Sequence, residues 1–273
     1  MGLGRLGVAV ISAGAAALLE RAADRLPKEQ QEPFARTNFR GEPVTLLEGP
    51  VTVAAALVGV LADTDAPGRV RAAAAVAGAV SSAVGAYDDL LGTAQAKGFR
   101  GHLSALRRGE VTSGAVKIAG VGAAGLAAAA LLPRRSSGLD RVVDVIADGA
   151  LIAGTANVVN LLDLRPGRAA KAVTALSVPV VPFRGPGAAV AGATAAAAPS
   201  DLAGRSMLGD CGANGLGAMA GTALAAALPR PLRWLALAGV VGLNLASEKV
   251  SFTEVIKNNP TLRAVDEWGR PPR

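Results

Sequence analysis

Long runs of apolar and small residues alternate with short patches of charged residues along this chain. A bilayer core about 30 Å thick needs roughly 20 mostly apolar residues for each helical crossing. The segments that approach this pattern are 3–19, 49–64, 70–87, 114–132, 141–159, 169–183, 186–200, 213–229 and 232–247. A soluble Ala-rich bundle would instead show a polar face on each helix, and residues 118–132 show none. The pattern predicts an all-α, polytopic transmembrane helical bundle of about nine spans.

The loops between these segments fall into two sets, one for each side of the predicted membrane. The longer set, which also holds the larger share of Lys and Arg, comprises 20–48, 88–113, 160–168, 201–212 and the tail. Because Lys- and Arg-rich loops stay in the cytoplasm, we expect the N-terminus outside, the C-terminus inside and the working surface on the cytoplasmic face of the cell's inner (plasma) membrane. Residues 1–247 are expected to form the transmembrane domain, and residues 248–273 a cytoplasmic C-terminal tail.

Composition narrows the function classes. Hydrophobic residues make up 51% of the chain but aromatic residues only 3%, and such small-residue content is typical of tightly packed transmembrane helices. The net charge of +7 is better explained by cytoplasmic Lys and Arg beside a lipid bilayer than by binding to nucleic acid. The single cysteine, Cys211, excludes an intramolecular disulfide, and with one histidine, His102, a zinc site is disfavoured.

Carboxylates and amides occupy the predicted cytoplasmic ends of several spans. Asp88 and Asp89 close the third segment, where adjacent charges are costly unless they are paired or solvated. Asn157, Asn160 and Asp163 follow at a spacing of three, which places them near one helix face. Such a stripe can bind a ligand's polar groups or a hard cation through oxygen, or it can form hydrogen bonds between helices.

An aspartate among glycines opens the eighth segment. Asp210 lies between Gly209 and Gly212, and glycine permits a close approach to a metal or a phosphate. Aspartate oxygens favour Mg²⁺, with Mn²⁺ as the alternative.

Basic residues lie in the same predicted cytoplasmic loops. Arg40, Lys97, His102, Arg165 and Arg168 are candidate substrate-binding residues. Arginine and lysine suit phosphate, but they also serve as plain membrane anchors. Carboxylates that hold a divalent cation among such basic groups form a set suited to phosphoryl transfer.

The order of these motifs resembles one enzyme family. Asp88-Asp89, Asn157-x-x-Asn160-x-x-Asp163 and Gly209-Asp210-x-Gly212 are similar to the motifs of the polyprenyl-phosphate N-acetylhexosamine-1-phosphate transferases. These belong to glycosyltransferase family 4 and are relatives of phospho-N-acetylmuramoyl-pentapeptide transferase. The resemblance covers roughly residues 36–230.

The resemblance implies an Mg²⁺-dependent enzyme of the cell envelope. It would transfer a sugar-1-phosphate from a UDP-sugar to a polyprenyl phosphate and release UMP. Asp210 would coordinate the metal, and Asp88 or Asp89 would bind or deprotonate the lipid phosphate. Asn157, Asn160 and Asp163 would hold the nucleotide and metal region, and no single aspartate is singled out as the base. A homodimer is an allowed assembly.

Two departures from the family pattern keep alternatives open. Asp163 is followed by Leu-Arg-Pro-Gly-Arg instead of Gly-x-Asp-Gly, and a tail with no histidine replaces the family's His-rich loop. The alternative hypothesis is therefore a catalytically weakened relative, which acts as a scaffold by binding a nucleotide or a lipid phosphate. An ion or solute transporter is less favoured, because the carboxylates lie at helix ends on one side and not at mid-membrane. In the tail, Ser251 or Thr253 is expected to cap a short helix, and a disordered tail is the alternative.

Overall fold

The computed structural model describes residues 2–92, 101, 104–105, 107–183 and 185–271, and most of them lie in helices. The α-helices are α1 Gly4–Asp24, α2 Lys28–Gln31, α3 Glu48–Ala62, α4 Gly68–Leu91, α5 Ser113–Leu131, α6 Gly138–Leu162, α7 Arg168–Ser177, α8 Gly187–Leu202, α9 Gly209–Ala227, α10 Arg230–Ser247, α11 Phe252–Asn258 and α12 Pro260–Glu267. Single turns of 3₁₀ helix cover Glu32–Phe34 and Val178–Val180. A two-stranded antiparallel ribbon, β1 Ala35–Thr37 and β2 Pro43–Thr45, joins α2 to α3.

Each of the predicted apolar segments contains a helix, but fewer helices than expected can cross a membrane. Four are long and apolar enough, namely α1, α4, α5 and α6, and a fifth is added if α10 and α11, bent by 97° at their junction, count as one span. The chain is thus a helical protein with four to five candidate membrane spans, and the expected nine spans are not supported. The N-outside, C-inside arrangement rested on that count and is not supported either.

Helix length and surroundings explain the lower count. Helix α3 has 15 residues, which at 1.5 Å per residue span about 22 Å, less than a hydrocarbon core of about 30 Å. Helix α7 has only 10 residues and begins at Arg168. Helix α9 is long enough but is not among the helices that are sufficiently apolar, and its side chains are almost all buried among other helices.

Small residues bring the helices around α9 into backbone contact. A Cβ on Gly49 of α3 would lie 2.1 Å from the main-chain oxygen of Leu208. A Cβ on Gly212 of α9 would lie 2.6 Å from the Cα of Gly49. A larger side chain at either position would force the helices apart, so α9 is the central helix against which the others are held.

Ion pairs hold the start of α6 against α10, at the end of α6 opposite to Asp163. Asp148 is buried and receives hydrogen bonds from Arg134, whose Nη2 lies 2.6 Å from its Oδ2. Arg233 Nε lies 2.9 Å from the other oxygen of Asp148. Arg230 pairs with Asp144 at 3.0 Å. These buried carboxylates are fully paired, as burial of charge requires.

The tail forms helices α11 and α12, which dock on α7. Ser251 caps α11 by accepting a hydrogen bond from the amide of Glu254 at 3.4 Å, which confirms the predicted short helix and its cap. Arg168 donates to both carboxylate oxygens of Asp266, at 2.8 and 3.0 Å. The tail is therefore anchored to the bundle by a paired charge.

Candidate functional site

Helix α4 brings two adjacent carboxylates to the N-terminus of α9. Asp88 and Asp89 lie in the last turn of α4, and Asp210 lies in the first turn of α9. A Cβ on Gly85 would lie 2.2 Å from the main-chain oxygen of Asp210, so glycine at this position lets the two helices approach. Residues 121 positions apart in the sequence consequently meet at one end of the bundle.

Asp89 caps helix α9 from outside that helix. Its Oδ1 accepts a hydrogen bond from the amide of Asp210 at 3.0 Å, and its Oδ2 accepts one from the amide of Cys211 at 2.8 Å. A carboxylate at a helix N-terminus satisfies free N–H groups and interacts favourably with the helix dipole. The main-chain oxygen of Asp89 accepts a further bond from Arg36 of β1. This geometry gives Asp89 a positioning role at the start of α9.

Lys117 of α5 lies between Asp88 and Asp210. Its Nζ lies 2.7 Å from Asp88 Oδ2 and also donates to Asp210 Oδ2. Lys117 was not among the site residues predicted from the sequence. A signal was present, because Lys117 is the one charged residue in Ser113–Leu131, and a lone charge in an apolar span is by default a functional candidate.

Asp163 lies just after α6 and is buried against the same end of α9. It accepts a hydrogen bond from the amide of Gly209. Burial raises the pKa of Asp163 well above its usual range, and the nearby charges of Asp201, Asp210 and Asp89 raise it further. Its Oδ2 has no hydrogen-bond partner among the described residues. Asp163 is thus close to the predicted metal ligand and favours its neutral form.

Two further buried carboxylates near Asp163 were not found from the sequence. Asp201 accepts a hydrogen bond from the amide of Gly167 at 2.9 Å, and Glu48 accepts one from the hydroxyl of Ser206. Neither residue was assigned a role from the sequence. Their charges add to the acidic character of this end of the bundle.

A cavity of about 440 Å³ adjoins the carboxylates and is bounded by α5, α6, α9 and α10. Its polar and charged lining is formed by Lys117, Asn157, Asn160, Asn214, Asn244, Ser247 and Glu248. Asn157 donates to Asn244 across the helix pair, and Asn214 donates to the main-chain oxygen of Asp210 at 2.8 Å. The predicted amide stripe therefore faces a cavity and also contributes to helix contacts.

The predicted arginine ligands lie elsewhere, beside the β-ribbon and the tail. A second cavity, of about 410 Å³, is lined by Phe39, Arg40, Pro166, Leu202, Glu267, Arg270 and Pro271. The guanidinium of Arg165 lies 3.8 Å from the centre of the Phe39 ring, and Arg168 is paired with Asp266. The structure does not bring these arginines onto Asp88 and Asp210. Lys97 and His102 lie outside the described residues.

The described part of the chain has no group of three or more His, Cys, Asp or Glu side chains arranged to hold a metal ion. The residues that come together are Asp88 and Asp210, joined through Lys117, with Asp89 and Asp163 beside them. The fold and this site define a helical protein with four to five candidate membrane spans and a carboxylate–lysine cluster next to an amide-lined cavity. Comparisons of the sequence with protein-family models and with curated proteins find no match.

Proposed function

We propose that this chain transfers a sugar-1-phosphate, of an N-acetylhexosamine, from a UDP-sugar to a polyprenyl phosphate. An oxygen of the lipid phosphate attacks the β-phosphorus, the bond between the two phosphates of the UDP-sugar breaks, and UMP leaves. The observation that carries the proposal is the meeting of Asp88, Asp163 and Asp210 around one helix N-terminus beside a cavity. The product is a lipid-linked diphosphate sugar for cell-envelope glycan synthesis.

The lipid phosphate has a suitable route to the cluster. The amide-lined cavity is bounded by α5 and α6, which are both candidate spans, and by α10. A polyprenyl chain can therefore remain in the bilayer while its phosphate meets the ammonium of Lys117, which stabilises negative charge in a site poor in water. Asp88 is held 2.7 Å from that ammonium and is within reach of a proton on the same phosphate.

The UDP-sugar fits the side of the β-ribbon. The cavity there presents the Phe39 ring together with Arg40 and Arg270, which suits an aromatic base and the phosphate next to it. The β-phosphate, which is attacked, would extend from there toward Asp88 and Asp210. The ribbon also touches the carboxylate cluster, since Arg36 donates to the main-chain oxygen of Asp89. We place this end of the bundle on the cytoplasmic side, in keeping with its Lys- and Arg-bearing loops.

Magnesium is proposed as the cofactor. In phosphoryl-transfer sites, Mg²⁺ is commonly held by one or two carboxylates together with substrate phosphates and water. Asp88 and Asp210, which share the Lys117 ammonium, form such a pair, so the donor chemistry fits. When bound, the ion would neutralise phosphate charge. Asp89 would keep Asp210 in place through its two bonds to the α9 amides.

One observation favours a second candidate function. Lys117 already pairs with both Asp88 and Asp210, so one of their two negative charges is balanced without a divalent ion. A protein with this arrangement can bind a nucleotide or a lipid phosphate as a scaffold without turnover.

A thin-layer assay separates the two functions. Purified protein receives labelled UDP-sugars, polyprenyl phosphate and Mg²⁺, and we expect a lipid-linked sugar together with UMP. Asp88→Asn and Asp210→Asn should each lower the rate at least about 100-fold, the scale of losing one group that stabilises a transition state. Asp140→Asn is the matched control, because Asp140 is exposed and lies in the first turn of α6. If the unchanged protein binds UDP-sugar but forms no product with any common UDP-sugar, the scaffold function replaces the transferase.

A further inference from the structure

A third cavity lies at the same end of the bundle as the carboxylate cluster but is lined by different residues. It has a volume of about 300 Å³ and lies between α1, α3 and α8. The charged and polar residues that matter here are Glu20, Asp24, Glu48, Thr52, Arg205 and Ser206. The volume is at the lower end of the range for small-molecule sites, roughly 300–1,000 Å³.

The cavity wall holds polar atoms with no partner. Glu48 is 9% exposed and Thr52 is 0% exposed. Glu48 Oε1 and Thr52 Oγ1 have no hydrogen-bond partner among the described residues. Buried polar atoms without partners cost stability, so a donor that reached both atoms would remove that cost.

The charges around the cavity are also uncompensated. Within the described ranges, Glu20, Asp24 and Glu48 form no ion pair with any lysine or arginine, and neither does Arg205 with any carboxylate. Burial and then the charge of Asp201 raise the pKa of Glu48, the hydrogen bond from Ser206 lowers it, and the charges of Asp163 and, least, Glu20 raise it further. Three carboxyl groups and one guanidinium therefore face one space with no ion pair between them.

A ligand that carries both charges fits this wall better than a metal ion. The described residues include no metal-holding group, and the cavity is far larger than a bare ion needs. A primary ammonium has three donors for carboxylate and hydroxyl oxygens, which matches Glu48 and Thr52. Arg205, which is exposed, suits a phosphate.

The position relative to the predicted bilayer indicates where such a ligand is met. Glu20 and Asp24 lie in the last turns of α1, a candidate span of 21 residues. At 1.5 Å per residue the helix is about 31 Å long, close to the thickness of the hydrocarbon core. Its end consequently lies at the level of lipid head groups.

We propose that the cavity between α1, α3 and α8 binds a small zwitterion with a primary ammonium and a phosphate, the chemistry of a phosphoethanolamine head group. The ammonium binds at Glu48 and Thr52, with Glu20 and Asp24 around it, and the phosphate binds at Arg205. This site adjoins the proposed transferase site, since Glu48 lies near Asp163, but none of its residues has a proposed role in the transfer.

Calorimetry on the full-length protein in detergent tests the site with soluble phosphoethanolamine, ethanolamine and phosphocholine. We expect phosphoethanolamine to bind most tightly, because phosphocholine lacks N–H donors. Glu20→Gln and Glu48→Gln should weaken it about tenfold or more, the loss expected for one charge-assisted hydrogen bond. Arg205→Ala should weaken the binding of phosphoethanolamine but not that of ethanolamine.

Two control variants and an experiment with lipids complete the test. Glu254→Gln and Arg263→Ala change exposed residues of the tail helices and should leave binding unchanged. Glu20 is only half-buried, so its variant keeps the test valid if the Glu48 variant does not fold. Native mass spectrometry from nanodiscs of phosphatidylethanolamine or phosphatidylcholine distinguishes a lipid head group from a free zwitterion. Retained phosphatidylethanolamine indicates the lipid, binding of free phosphoethanolamine alone indicates the zwitterion, and either result supports the site. The proposal is wrong if phosphoethanolamine binds no better than phosphocholine, or if the Glu20 variant binds like the unchanged protein.

Discussion

Removing the carboxylate of Asp89 should loosen the start of helix α9 specifically. Asp89 accepts hydrogen bonds from the amides of Asp210 and Cys211 at 3.0 and 2.8 Å. Each bond to a charged acceptor contributes about 1.5–3 kcal/mol, and loss of a helix cap costs about 0.5–2 kcal/mol. Because the two bonds share one carboxylate and are not additive, we expect Asp89→Ala to cost about 2–4 kcal/mol of stability.

The neighbouring aspartate provides the comparison. Asp88 contacts Lys117, which keeps Asp210 as a partner when Asp88 is lost. We therefore expect Asp88→Ala to cost clearly less stability than Asp89→Ala. In the transferase assay, however, Asp88→Ala should reduce the rate directly, whereas Asp89→Ala should act through a displaced Asp210.

Thermal unfolding in detergent and hydrogen exchange measure these effects. Asp89→Ala should lower the midpoint by roughly 5–10 °C for a chain of this size. It should also speed amide exchange at Asp210 and Cys211 before the rest of α9. Equal midpoints for Asp88→Ala and Asp89→Ala, with unchanged exchange at these two amides, would refute the capping argument.

Three further predictions concern the same end of the bundle. Gly85→Ala should lower activity and thermal stability together, because its Cβ would meet the main-chain oxygen of Asp210 at 2.2 Å. If activity and stability both stay unchanged, the close approach of the helices is contradicted. Lys117→Met should abolish binding of the lipid phosphate and destabilise the protein by about 3–5 kcal/mol, since it leaves two carboxylates without their cation. Binding to polyprenyl-phosphate vesicles and thermal unfolding measure these two effects. Binding as strong as that of the unchanged protein would contradict the prediction. Burial raises the pKa of Asp266, but the hydrogen bond and charge of Arg168 outweigh this effect and hold the pKa below its usual value. Docking of the tail should therefore persist from neutral pH to about pH 4 and weaken as the pH falls further. Hydrogen exchange in α11 and α12 measures that release, and release that instead begins near neutral pH would contradict it.

The helices could be predicted from the sequence, but the number of membrane spans could not. Apolar runs locate helices because helical segments with few polar groups must be buried somewhere. They do not tell whether lipid or protein surrounds the helix. Helix α9 illustrates this: its Gly- and Ala-rich sequence was taken as a span, and the structure surrounds it with other helices. Helix α3 is apolar but too short.

The candidate site was predictable in part. The grouping of Asp88, Asp163 and Asp210 followed from their positions at the ends of predicted helices on one side. Lys117 could have been found as the one charge in its helix. The pairing of Arg168 with Asp266 could not, because the two residues are 98 positions apart and nothing local in the sequence joins them. Arg168 was consequently predicted to bind phosphate, whereas the structure uses it to anchor the tail.

Backbone contacts, more than interlocking large side chains, determine where the carboxylates lie. Aromatic residues make up only 3% of the chain, so few large side chains are available to fix the helix positions. Helices α3, α4 and α9 instead approach through Gly49, Gly85 and Gly212, whose missing Cβ atoms leave room for a neighbouring backbone. The contact at Gly85 also sets the distance between Asp89 and the amides of α9. The same glycine contacts thus determine both the helix packing and the geometry of the site. Replacing one of these glycines with a larger residue should therefore alter the chemistry even though no charged residue is changed.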